Sequence, residues 1–283
     1  MNNINAIKFL SEWTSIISLA KIGETSSVSL EYSYNGIDWS VWDLSGLTVN
    51  PGDILYIRGY NLGGFSSSSS DYYTFIIEGD KVSCSGNIMS LIDYKNLPDV
   101  IPCEYCFYGL FSRCTALTSA PELPASKLTD RCYSWMFECC TSLKIAPELP
   151  ATTLAYWCYS YMFYGCSSLI AAPELPAKKL KYHCYDSMFS RCTSLTVAPE
   201  LPATALAESC YESMFEGCTS LTVAPELPAT ELIFACYSYM FYGCTALTTA
   251  PELPANISKL YYMYMFDGCK IQDCTLLKDK KQL

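Results

Sequence analysis

The run CTSLTVAPELPATALAESCYESMFEG, residues 192–217, is followed without a break by CTSLTVAPELPATELIFACYSYMFYG, residues 218–243. The period is 26 residues, and it extends in both directions. One cysteine row falls at Cys114, Cys140, Cys166, Cys192, Cys218 and Cys244, and a second at Cys106, Cys132, Cys158, Cys184, Cys210 and Cys236. A glutamate row, Glu122, Glu148, Glu174, Glu200, Glu226 and Glu252, sits inside Ala-Pro-Glu-Leu-Pro-Ala hexamers. A seventh, partial copy ends at Cys269, one residue short of register. A fixed period of this size marks stacked units. One unit cannot bury its own Leu, Tyr, Met, Phe and Cys, but neighbours laid side by side bury them as continuous rows.

Two local signals recur in each unit. In the third copy, Leu154, Cys158 and Met162 are spaced by four with Tyr159 and Phe163 beside them. That stripe predicts a helix. Thr152 and Thr153 offer hydroxyls near its start, and Gly165, like Gly217 and Gly243, suits its end. The β-prone segment Leu195-Thr196-Val197-Ala198, closed by Pro199, predicts a short strand. The Pro-Glu-Leu-Pro piece is expected to be extended, because proline restricts itself and its predecessor.

The run Met214-Phe215-Glu216-Gly217-Cys218-Thr219-Ser220-Leu221 resembles the signature of BspA-type leucine-rich repeats, found in surface proteins of gut and oral bacteria. The resemblance covers about residues 106 to 269. It implies a right-handed arc with one parallel sheet, and non-enzymatic relatives. The Ala-Pro-Glu-Leu-Pro-Ala piece makes these units longer than the shorter members of that family.

Residues 1 to about 95 carry no repeat. Short alternating runs, Ile16–Leu19, Val28–Tyr32, Ile54–Ile57 and Tyr73–Ile77, are separated by turn signals. Asn35-Gly36 marks a hairpin, and Asn50-Pro51-Gly52-Asp53 and Glu78-Gly79-Asp80 mark further turns. A small antiparallel β-sandwich is expected. It also resembles the β module that often precedes such repeats in bacterial surface proteins. Gly63-Gly64 with Ser66 to Ser70 is expected to be a flexible loop. The expected fold class is thus an α/β repeat. A β-sandwich module at 1–83 is followed by a linker and N-terminal cap at 84–105. A leucine-rich-repeat solenoid at 106–269 has six full units plus a partial one, and a C-terminal tail or cap covers 270–283.

Composition narrows the function. The formal net charge of -10 disfavours a nucleic-acid partner, which needs clustered Lys and Arg. The densest basic group, Lys278, Lys280 and Lys281, is expected to be a solvated tail. No run is long and apolar enough for a membrane span. The start, Met1-Asn2-Asn3-Ile4-Asn5-Ala6-Ile7-Lys8, has no basic region leading into an apolar one, so it predicts no secretion signal. A trimmed signal, an intracellular protein and a virus particle all remain open.

Chemistry is sparse. The cysteine rows are expected to be small buried hydrophobes, although a disulfide ladder is geometrically conceivable. Cys103-x-x-Cys106 looks like half a zinc site or a redox pair, but no second half follows. Cys139 lies in a variable column and is the best candidate for a reactive thiol. Stacked glutamates repel, so backbone hydrogen bonds are the first expectation for that row, open solvation the second and calcium the third. The single histidine, His183, is expected to be a surface residue. No catalytic residue, cofactor or metal site is expected.

The variable columns carry the functional expectation. On the predicted helix, residues 157, 160, 161 and 164 share a face opposite the core stripe. Across the copies this face holds Trp135, Tyr156, Trp157, Tyr161, Tyr164, Tyr182, His183, Phe234, Tyr239 and Tyr242. An idle surface fills with Lys, Glu, Gln and Ala, whereas aromatic rings mixed with Ser and Asp suit recognition. The alternative is that these rings pack on one another and only stiffen the stack. The expected function is non-catalytic adhesion at a cell surface, or as a secreted protein, to a protein or glycan on a host or neighbouring cell. A bacteriophage tail protein on a virion, or a structural spacer, are the rivals. The oligomeric state is left open.

Overall fold

The structure is a computed structural model and describes residues 4–24, 26–253 and 258–271. The lysine tail, and the C-terminal cap from residue 272 on, lie outside the described residues. The N-terminal part holds β1 (Ile7–Ser11), β2 (Ser15–Ile22), β3 (Leu30–Ser33), β4 (Ser40–Val41), β5 (Leu47–Val49), β6 (Leu55–Gly59), β7 (Tyr72–Glu78) and β8 (Val82–Ser85). A single helical turn, α1 (Ser90–Asp93), and a strand, β9 (Leu117–Ser119), follow.

Two sheets form, ordered β4-β3-β6-β1-β8-β9 and β5-β2-β7. All pairs are antiparallel except β8 with β9. Alternation sends Ile7 and Phe9 of β1, and Ile17 and Leu19 of β2, into the interior. The sheets meet where Phe9 packs on Phe75 of β7 at 5.4 Å. At Asn35-Gly36 the chain turns as expected. Asn35 Oδ1 accepts the amides of Ile37 and Asp38, both at 2.9 Å, and Gly36 takes φ +71°. The loop expected to be flexible is tied down instead. Phe65 is fully buried, and Ser67 N–H donates to Asp71 C=O at 2.9 Å.

The α half of the expected α/β repeat is not there. The unit is a coil of overlapping turns, with almost no helix. In the third copy Trp157, Tyr161 and Gly165 have positive φ, one residue in every four. That conformation breaks the ladder between each amide and the carbonyl four residues back. The amides then divide by parity. Ser160, Met162, Tyr164 and Cys166 donate to the carbonyl three residues back, at 3.1–3.2 Å. Trp157, Tyr159, Tyr161, Phe163 and Gly165 donate to Tyr182, Cys184, Asp186, Met188 and Ser190 of the next unit, at 2.8–3.1 Å. These nine amides are thereby satisfied, four within the unit and five between units. The strand expected at Leu195–Ala198 is reduced to single parallel bridges, Val197 to Val223 and Val223 to Thr249. Among the described residues, only the first copy has a strand there, β9. In the short seventh copy the partner offset falls from Ala235–Leu260 to Tyr237–Tyr261, at a 3-10 turn over Lys259–Tyr261.

The sheets close one end of the stack. Phe65 N–H donates to Cys106 C=O at 2.7 Å, and Phe75 N–H to Leu110 C=O at 2.8 Å. They occupy carbonyls that a preceding unit would take. Phe75 also stacks on Phe111 at 4.9 Å and 16°, which begins a ring column running through Phe137, Phe163, Phe189, Phe215 and Phe241 to Phe266. A second column runs from Phe65 through Phe107 and Tyr133 to Tyr237.

Candidate functional site

Apart from Cys106 at the head of its row, the inner columns leave nothing free for chemistry. Both cysteine rows are buried free thiols. Each sulfur of the Cys140 row has a backbone role. Cys166 Sγ donates to Phe137 C=O at 3.0 Å, and that carbonyl also accepts Cys140 N–H at 3.1 Å. Burial pushes these thiols far up, to about 12 for Cys158, Cys210 and Cys218. They stay protonated, and the thiolate is the reactive form.

Half of the expected contact residues fall at positive-φ positions. Trp135 (60°), Trp157 (53°), Tyr161 (58°), His183 (51°) and Tyr239 (56°) all have left-handed backbone, so five of the ten expected contact residues do. For a residue with a Cβ this costs about 1–2 kcal/mol each. No β-branched residue occupies these columns, where the extra Cβ branch would clash.

These rings do not stand free in solvent. Trp135 lies flat on Tyr161 at 4.2 Å and 3°, with Tyr164 at 6.0 Å. Trp157 stacks on His183 at 5.3 Å and meets Tyr182 edge-on at 4.6 Å, and Tyr182 touches Tyr156 at 6.4 Å. Arg131 covers the Trp157 ring at 4.0 Å. Farther along, Tyr239 stacks on Tyr264 at 5.1 Å and touches Tyr242 at 5.9 Å. Phe234 is exposed, with no ring contact among the described residues. Tyr156 and Tyr242 are exposed, and the remaining seven are half-buried. The expected face is therefore three groups of rings and one outlier. Ser187 and Ser213 replace the ring in the column between Tyr161 and Tyr239.

Residues 101–222 and 158–283 match the family described as BspA type leucine rich repeat region, in six copies. The chain belongs to the BspA-type leucine-rich repeat family. No curated protein and no solved structure matches it.

The break in the ring column of this BspA-type protein is acidic. Burial first, then the carboxylates of Asp186, Glu212 and Glu216, push the Tyr161 hydroxyl up. Glu212 and Glu216 also act on Tyr239. Asp186 Oδ2 is 2.8 Å from His183 Nδ1, and Asp186 Oδ1 accepts Ser187 Oγ at 2.8 Å. The serine thus bonds the aspartate rather than the imidazole, which is not the order a nucleophile and its base need.

At the other end, Trp135 borders a cavity of about 430 Å³ at the seam with β7. The first copy has Gly109 in the Trp135 column, so no ring of that column precedes the indole. Tyr72, Tyr108, Ser112, Arg113 and Glu138 complete the lining. Glu138 is buried, accepts Ser112 Oγ at 2.6 Å and pairs with Arg113 at 3.4 Å. The repeat pattern did not point to Glu138, Arg113 or Tyr72. The signals that could have found them were Gly109 at the head of the column that holds Trp135 and Tyr161, and a glutamate in the Tyr164 column.

Two further expectations change. Burial, then the hydrogen bond and charge of Glu138, push the Cys139 thiol up to about 11, so it is not an activated nucleophile. The glutamate row is solvated: all six residues are exposed, and no side-chain hydrogen bond to them occurs among the described residues. Backbone capture was the wrong first choice. The proline beside each glutamate has no N–H to donate.

Proposed function

We propose that this chain is a non-catalytic recognition protein of a cell surface or secreted setting, in which a β module carries a leucine-rich-repeat solenoid of 26-residue units. Proteins of this family are commonly surface repeat proteins involved in protein interactions, which supports a protein as the partner. The observation that carries the reading is Trp135. Its indole is held flat on Tyr161 and lines a cavity whose wall carries both charge signs, Arg113 and Glu138. A rigid aromatic beside a pocket is the usual form of a binding hot spot.

The stacked rings around Trp157 and His183 favour a second reading, a stiff spacer without a ligand. One experiment separates the two. Wild type, Trp135→Ala and a Tyr156/Trp157/Tyr161 triple alanine variant are screened on arrays of host-cell proteins and glycans, with circular dichroism as the folding control. Trp135→Ala should lose at least tenfold in affinity for a protein target, about 1.4 kcal/mol or more. Binding left intact in both variants would leave the spacer. Binding to glycans alone would overturn the protein partner.

A further inference from the structure

Cys103 stands outside the two cysteine rows. Its column holds Thr129, Ala155, Lys181, Ala207 and Ile233 in later copies. It is half-exposed, whereas Cys106, three residues on, heads the inner row and is fully buried. The backbone brings the two together. Tyr105, between them, takes φ +54°. Both residues are pinned by their carbonyls, Cys103 accepting Thr129 Oγ1 at 2.6 Å and Cys106 accepting Phe65 N–H at 2.7 Å. A side chain begun at Gly64 would meet Cys103 Sγ at 2.7 Å and Cys106 Cα at 2.9 Å, so the Cys103 sulfur lies close to the Cys106 backbone. Glycine at 64 is what leaves room for that sulfur.

We propose that Cys103 and Cys106 form a thiol–disulfide exchange site, with Cys103 the attacking sulfur, Cys106 the resolving one, and a small disulfide of the glutathione class as oxidant. The Cys103 thiolate attacks one sulfur of the oxidant. The oxidant's S–S bond breaks, a mixed disulfide forms on Cys103, and one thiolate leaves and takes a proton. Cys106 then attacks Cys103 Sγ and passes its proton to the thiolate that this attack expels. The Cys103–Cys106 bond forms and the second thiolate leaves. Two protein thiols lose two electrons, and one oxidant molecule becomes two thiols.

The environments match these roles. The hydrogen bond from the Cys106 thiol holds Cys103 below the usual thiol range, and burial holds Cys106 well above it. Cys103 is the one cysteine lowered in this way among the described residues. A half-buried thiol of depressed pKa beside a fully buried one is the arrangement of a reactive dithiol. The site makes no use of the outer rings, so it does not depend on the proposed recognition function.

The full reduced chain is equilibrated with graded ratios of reduced and oxidised glutathione, acid-quenched, alkylated and peptide-mapped. The first disulfide to form should join Cys103 to Cys106, with the two rows still reduced. At pH 7, Cys103 should alkylate at least tenfold faster than Cys139. Cys103→Ser should abolish the disulfide, and Cys106→Ser should stall as the mixed disulfide on Cys103. Should Cys106→Ser not fold, the wild-type map decides alone. Row cysteines bonding to each other first, or Cys103 reacting no faster than Cys139, would overturn the proposal.

Discussion

At the residue scale, a positive φ is imposed on side chains that elsewhere avoid it. Arg113, Cys139 and Arg191 share a column with Gly165, Gly217 and Gly243, all with φ between 55° and 72°. The interunit hydrogen bonds over-determine that conformation and hold the strain in place. Ser213, at φ 51°, tests this with few side-chain contacts in the way. Ser213→Gly should be neutral or raise stability by up to about 1 kcal/mol. Ser213→Val should lower it by about 1–2 kcal/mol. Thermal unfolding of the pair measures the difference, and equal midpoints would contradict the backbone assignment. The avoidance of β-branched residues in these columns was visible in the sequence. It was not read as a backbone signal, because polar and aromatic variety also looks like a contact surface.

At the element scale, the helix expectation failed for an identifiable reason. Spacing by four fits an α-helix locally, but 3.6 residues per turn makes such a stripe drift by about 40° at each step. Leu154, Cys158, Met162 and Cys166 keep a strict four, and all are buried. A coil with four residues per turn explains that better than a helix does. The strands of the N-terminal part were more legible: β2, β3, β6 and β7 overlap the alternating runs. The seam was not. Phe65 and Phe75 precede Phe107 and Phe111 by more than one period, yet they act as a preceding unit. Phe75→Ala removes contacts to Phe9, Trp42 and Phe111 and should cost about 3–5 kcal/mol. Hydrogen exchange should then quicken in β7 and residues 105–114 and stay slow in residues 210–243. A uniform rise along the chain would show that the seam is not a separate point of weakness.

At the scale of the whole molecule, the rows make the fold sensitive to base. In each row thiol the folded pKa lies above the unfolded one, near 8.5. Its contribution to stability is complete below about pH 8.5 and is lost as the pH climbs toward the folded value, about 12 for Cys158, Cys210 and Cys218. A dozen such groups remove on the order of 16 kcal/mol per pH unit, more than an ordinary domain's whole stability. The buried hydroxyls of Tyr133, Tyr159, Tyr185, Tyr211 and Tyr237 are raised by the same desolvation. Under reducing conditions the chain should unfold cooperatively between about pH 9 and 11. Circular dichroism unchanged above that range would mean the rows are not buried as described.

The sequence by itself determined that like letters one period apart become rows, and that some columns vary while the frame does not. Identical spacing brings identical residues together whatever path the chain takes between them. Only the tertiary structure decided that path, which rings cover one another, and what closes the first unit. Those outcomes depend on hydrogen bonds between residues 25 apart and on contacts with the β module. The choice between an amide bonding its own unit or its neighbour is made only when the neighbour is in place.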